Sequence, residues 1–238
     1  MNALRRLRLE KAAADCGFEM SPVQHSAWLE LRSARFPEAV MVRVSGEDSF
    51  EVSASDPAIL NLGDGSACLT VDGYGQLYAL LRAAAAYART KPNRVADEFR
   101  SKTSTLPRTT EAERLVVQRV GQDLFRSALL DYWQGRCCVT GLDVPELLRA
   151  SHIRPWAKCE TDEQRLDVFN GLLLAPHLDA LFDGGWITFS DAGECSASPA
   201  LGQLRCEQLG VVAPLKIQGL RAEHRHYLEF HRTKLWRS

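Results

Sequence analysis

The sequence has no apolar run approaching the length that crosses a bilayer, which excludes a helical span; no membrane partner is expected. It has no Cys-x-x-Cys pair either: Cys16, Cys68, Cys137, Cys138, Cys159, Cys195 and Cys206 are odd in number and scattered. With no secretory leader ahead of them, they argue against a disulfide framework and for a reducing, cytoplasmic setting, as buried small hydrophobes. Excess positive charge is missing too. Formal net charge is -1, so any contact with nucleic acid has to be local. Neither Gly63-Asp64-Gly65 nor Gly73-Tyr74-Gly75 extends to a Walker or dinucleotide pattern, so both read as turns, and no internal repeat is present.

What is there is a 238-residue chain with 45% hydrophobic and 25% charged content, the composition of a soluble globular protein of two domains. Its character changes between about 90 and 110, where Lys91-Pro92-Asn93 and residues 101–107 are polar and rich in breakers. The expected division is an N-terminal module over 1–95, a linker over 96–109 and a C-terminal domain over 110–238. In the module, residues 41–44, 50–52 and 67–71 have strand composition and 77–89 is an Ala-rich helix, which makes it a small α+β unit for recognition, sensing or partner binding. After the linker, Thr110 with Glu113 forms a capping box that opens a helix, and a second helical stretch covers 122–133. Arg221, Arg225, Arg232, Lys234 and Arg237 make the C-terminus basic, on an amphipathic closing helix with Leu228, Leu235 and Trp236 inward.

The chemistry concentrates between these helices. Residues 147–150 form a short, largely apolar strand that ends at His152, since Pro155 stops regular pairing soon after. A second strand is expected at 171–174, and Pro176 suits the first turn of a helix through Asp183, ended by Gly184-Gly185. On that helix Asp179 and Asp183 stand four apart and share one face. An imidazole that titrates near neutrality accepts a proton from water, which makes His152 the candidate general base. Asp179 and Asp183 are the candidate metal ligands, and oxygen-only ligation favours Mg²⁺ or Mn²⁺ over zinc. His177 is a candidate ligand or phosphate contact.

The run Ser151-His152-Ile153-Arg154-Pro155-Trp156, then Asn170-Gly171-Leu172, then Asp179-Ala180-Leu181-Phe182-Asp183, resembles the HNH endonucleases of the ββα-metal superfamily, in particular a restriction-type branch. The resemblance covers 138–187 and implies a ββα-metal nuclease domain with helical lead-in, hence an α+β chain. It implies that Asn170 braces the loop orienting the base. It also implies that Ser151 stands where many relatives carry a further acidic or histidine ligand, acting through water, and that Asp179 replaces a histidine. Some members carry a four-Cys zinc knuckle; here Gly141 takes the place of a partner for Cys138, so no structural zinc is expected. Residues 119–137 resemble the segment before the motif in restriction-type relatives, which makes Arg119, Arg126 and Arg136, with Arg154 and His177, candidate nucleic-acid contacts. The implied activity is metal-dependent cleavage of DNA phosphodiesters leaving 3′-hydroxyl and 5′-phosphate ends, in restriction or defence. A homodimer is implied if both strands are cut. A DNA-binding or sensor protein with an inactive HNH fold, and an RNA-cleaving nuclease, are the alternatives.

Overall fold

A computed structural model describes residues 3–62, 66–91, 93–107, 109–212 and 214–238. Gly63-Asp64-Gly65 and Pro92 lie outside the described residues. The fold is α+β and divides into two compact units, Met1–Arg89 and Thr90–Ser238. Among the described residues no helix is long and apolar enough to cross a membrane.

In the first unit helix α1 (Ala3–Asp15) precedes a meander of β1 (Met20–His25), β2 (Trp28–Arg32), β3 (Val40–Val44), β4 (Ser49–Ala54) and β5 (Leu69–Asp72), each antiparallel to the next. Helix α2 (Gly73–Arg89) follows. Cross-strand register puts Leu29 beside Val42 and Val42 beside Val52, so the period-two alternation gathers the buried side chains on one face. The helices contribute Leu9, Ala12 and Ala13 from α1 and Leu77, Leu81, Ala84 and Ala85 from α2. Small alanines let α2 approach closely. Edge strand β1 carries Pro22 beside a register irregularity between Met20 and Val23, which blunts its unpaired side.

The second unit contains α3 (Arg94–Thr103), α4 (Glu111–Tyr132), β6 (Arg149–His152), α5 (Asp162–Leu166), β7 (Gly171–Leu174), α6 (Pro176–Asp183), β8 (Ile187–Phe189), β9 (Cys195–Ala197), α7 (Gln203–Gln208) and α8 (Arg225–Lys234). Strands β6 and β7 form an antiparallel hairpin in which His152 pairs with Gly171 and Ser151 with Leu172. Helices α4 and α6 both pack on this hairpin. All four residues of β7 are buried, which explains its unbroken apolar sequence.

Two stretches differ from the sequence expectation. Most of the expected linker, 96–109, is helix α3, because Val95, Ala96, Phe99 and Thr103 fall on one face that buries against α4 and α5. Its polar residues mark the outer face of an amphipathic helix rather than a tether. The two expected helices around Gly121 are one 22-residue helix, opened by the Thr110 and Glu113 capping box. Gly121 continues the helix and makes room for a neighbour: a Cβ there would stand 2.4 Å from the Trp156 ring and 3.2 Å from Phe99.

That contact reverses the usual sign of a substitution. Glycine to alanine inside a helix ordinarily stabilises by up to about 1 kcal/mol, whereas overpacking against a wedged ring costs about 1–3 kcal/mol. Gly121→Ala is expected to lower the urea midpoint of the chain; an unchanged or higher midpoint would show that Trp156 is not wedged there.

Candidate active site

His152 ends β6 with its ring held on three sides. The ring stacks on Phe125 of α4, with centroids 3.8 Å apart and planes 12° from parallel, and meets the edge of Trp156 at 5.8 Å. Its Nε2 lies 2.8 Å from the carbonyl oxygen of Arg165 at α5. A carbonyl only accepts, so Nε2 carries the hydrogen and Nδ1 carries the lone pair. Burial pushes the imidazole down to about 4, against the opposing pull of the Arg165 carbonyl and of Asp183. The ring is therefore neutral at pH 7.

The loop between the two strands is held by Asn170, which is wholly buried. Its Oδ1 accepts from the Arg154 amide at 2.7 Å, and its Nδ2 donates to the carbonyls of Gln164 at 2.9 Å and Arg154 at 3.1 Å. The Cys159 sulfur lies 3.3 Å from the same nitrogen. One side chain thus joins the start of the loop after His152 to the residue before Arg165. Asp167 caps the turn that delivers Asn170, accepting from the Phe169 amide at 2.9 Å and from the Tyr227 hydroxyl at 3.0 Å.

Helix α6 has Pro176 in its first turn and buries Leu178, Leu181 and Phe182, which turns Asp179 and Asp183 away from the core. Burial raises Asp179 above the ordinary carboxylate range; the nearby Ser151 hydroxyl opposes this, Asp183 adds repulsion, and Arg149 acts the other way. Two carboxylates that repel each other, with a hydroxyl beside one, form an oxygen donor set of the kind that hard divalent cations take. Among the described residues no group of three or more His, Cys, Asp and Glu is placed to hold a metal, so such a cation would complete its shell with water and substrate oxygens.

The hairpin and helix thus set Ser151 and Asp183 close enough to Asp179 to act on it, and His152 within electrostatic reach of Asp183. The arginines divide differently. Arg126 donates to the carbonyls of Leu148 at 2.7 Å and Pro145 at 2.8 Å, fixing the entry to β6. Arg154 donates to the Lys158 carbonyl at 2.8 Å and to Glu160 at 3.1 Å, with its guanidinium 4.9 Å from the Phe230 ring. Both were expected at phosphate; in the structure both hold loops through some of their five donors, because open carbonyls near a guanidinium draw its N–H groups. Arg136 forms an exposed ion pair with Asp143 at 3.2 Å, and Arg119 and His177 are exposed.

Sequence reading missed several groups that shape the site. Arg149 shares the strand face of Ser151, a placement that period-two alternation would have revealed. Cys137 accepts amide hydrogens of Thr140 at 3.4 Å and Ala175 at 3.3 Å, tying the turn before β6 to the start of α6. His231 of α8 is buried, stacks on Phe182 at 3.8 Å, donates from Nε2 to the Phe182 carbonyl at 2.9 Å and accepts from Thr188 at 3.0 Å. Arg237 donates to the Gly184 carbonyl at 2.8 Å and its amide to Gly185 at 3.0 Å. No local pattern announces these long-range ties.

Residues 137–190 match the model of a family described as HNH endonuclease, and the matched segment contains the hairpin, the loop and α6. The chain therefore carries an HNH endonuclease domain. Comparison with curated proteins finds no match.

Burial favours the neutral ring in His152 and in His224, each pushed down to about 4. A folded value below the unfolded one means that this stability is present above about pH 6.5 and is lost as pH falls toward 4. In an NMR titration without metal, the His152 ring is expected to stay neutral until about pH 4, and urea stability to decline below pH 6.5. Titration of His152 near 6.5 would sink this account of its surroundings.

Proposed function

We propose that the C-terminal unit is a metal-dependent DNA endonuclease with His152 as general base. The observation that carries this reading is the hydrogen bond from Nε2 of His152 to the Arg165 carbonyl, which leaves an unprotonated Nδ1 on a neutral ring beside the helix bearing Asp179 and Asp183. Nδ1 takes a proton from the attacking water, while Phe125 and Trp156 keep the ring from turning. Asn170 is a positioning residue, holding the loop that presents the Arg165 carbonyl. Asp179 and Asp183 would hold the divalent cation, Mg²⁺ or Mn²⁺, with Ser151 acting through water. When bound, such an ion supplies charge neutralisation at the phosphate and at the leaving oxygen.

Arg149, near Asp179, joins Arg119, Arg136 and His177 as a group able to meet the backbone phosphates. The N-terminal module serves to select the substrate, a partner subunit or a signal. Restriction or defence against foreign DNA, in the cytoplasm, is the role suggested by resemblance to restriction-type members. One HNH site cuts one strand, so double-strand breaks would come from a homodimer.

The second reading is a DNA-binding or sensor protein whose HNH fold is inactive, favoured by Ser151 where a third ionic ligand would stand. Incubating supercoiled plasmid and RNA in parallel with Mg²⁺ or Mn²⁺, and with chelator, separates the readings. Wild type is expected to convert plasmid in metal alone, and His152→Ala to be slower by about 10²–10⁴-fold. DNA binding without cutting by either protein would leave the sensor reading standing; cutting of RNA alone would replace DNA as the substrate.

Ser151→Asp provides a further check on the ligand set. Adding a carboxylate beside Asp179 is expected to lower the Mg²⁺ concentration needed for half-maximal cutting, and Asp183→Asn to raise it. Equal metal requirements in all three proteins would place the cation elsewhere.

A further inference from the structure

A cleft of about 570 Å³ in the first unit lies outside everything described so far. Its walls carry three guanidinium groups, Arg5 and Arg6 from α1 and Arg43 from β3, with Gln24, Ser26 and Ser45 among the polar groups around them. Among the described residues no Asp or Glu lines it. That convergence runs against the composition of the unit, since residues 1–89 hold nine Lys and Arg against eleven Asp and Glu. Arg6 and Arg43 keep carboxylate partners outside the lining, so what the cleft offers is a convergence of guanidinium donors more than uncompensated charge.

The guanidiniums are also pre-positioned. Arg43 lies 4.8 Å from the Trp28 ring centroid and is paired with Glu51, while Arg6 is paired with Glu10 at 2.8 Å. A guanidinium has five donors, so one carboxylate partner leaves donors for a ligand. Its planar fork matches the oxygens of phosphate, and the serine hydroxyls add neutral donors beside it. The size is that of a small-molecule site. A long polyanion would extend past the cleft over a unit with more acids than bases, whereas a small one needs only the cleft.

We infer that this cleft binds a small phosphorylated ligand of nucleotide size, which makes the N-terminal unit a ligand-sensing module. The inference does not depend on the nuclease reading. Phosphate chemistry has two sources here, a free phosphorylated molecule and the backbone of DNA, and the free molecule is the one the charge distribution favours.

The test uses the full chain without divalent metal, so that binding is read apart from cleavage, and titrates it calorimetrically with pyrophosphate, ADP and a short DNA duplex. Pyrophosphate and ADP are expected to bind saturably, with affinity falling as salt rises. Arg5→Gln combined with Arg43→Gln is expected to weaken both by about tenfold or more. Ser26→Asp is expected to weaken them without a change in melting temperature, because Ser26 is exposed at φ 54°, a conformation aspartate tolerates. Absence of saturable binding, or unchanged affinity in both variants, would overturn the proposal. Variants that lose duplex binding while pyrophosphate and ADP bind as before would also overturn it, making the cleft a DNA contact.

Discussion

The buried amide of Asn170 is the interaction on which the geometry of the second unit depends. The segment between β6 and β7 is too irregular for ladder hydrogen bonds to hold, yet it must return a backbone carbonyl to the ring of His152. Asn170 supplies the missing cross-links, binding the chain at Arg154 on one side and Gln164 on the other. Each such bond is worth only about 1 kcal/mol net, but its buried partners cost about 1–3 kcal/mol each if left unpaired. The loop therefore has one low-energy arrangement, and that arrangement fixes the imidazole tautomer.

Around this brace the fold works from both sides of the hairpin. Phe125 and Leu129 of α4 press on Gly171, where a Cβ would come within 2.6 Å of Phe125, so the strand facing His152 needs a residue without a side chain. The far end of α6 is held from the C-terminal segment by His231 and Arg237, which satisfy carbonyls that every helix end leaves open. Gly185, with φ 68°, brings its backbone so close to Leu235 that a Cβ would lie 2.2 Å from that carbonyl oxygen. The helix bearing Asp179 and Asp183 is thus anchored by Cys137 near its start and by α8 at its end.

Much of the hairpin and helix was legible because it is written in local spacing. Proline and glycine punctuate α6, its carboxylates stand four apart, and β7 is a continuous apolar run. The loop-holding bonds of Arg126 and Arg154 were not legible, because the carbonyls they reach lie on segments that only the fold brings near. Gly121 misled for a related reason: its role is set by Trp156, 35 positions away, and helix propensity sees only neighbours. Helix α3 was hidden by its own polar face. His224 and His231, within the stretch expected to form a basic closing helix, are buried against aromatic rings, and the partners that draw them inward come from α4, α6, β8 and the turn before β7.

The group facing Nε2 of His152 is a peptide dipole, not an ion. A carboxylate at that point would give an imidazolium a counter-charge and lengthen its life; a carbonyl in a dry setting does so far less. In the proposed reaction a protonated ring is accordingly disfavoured by its surroundings, and the uncharged form that each cycle needs is the one the site restores.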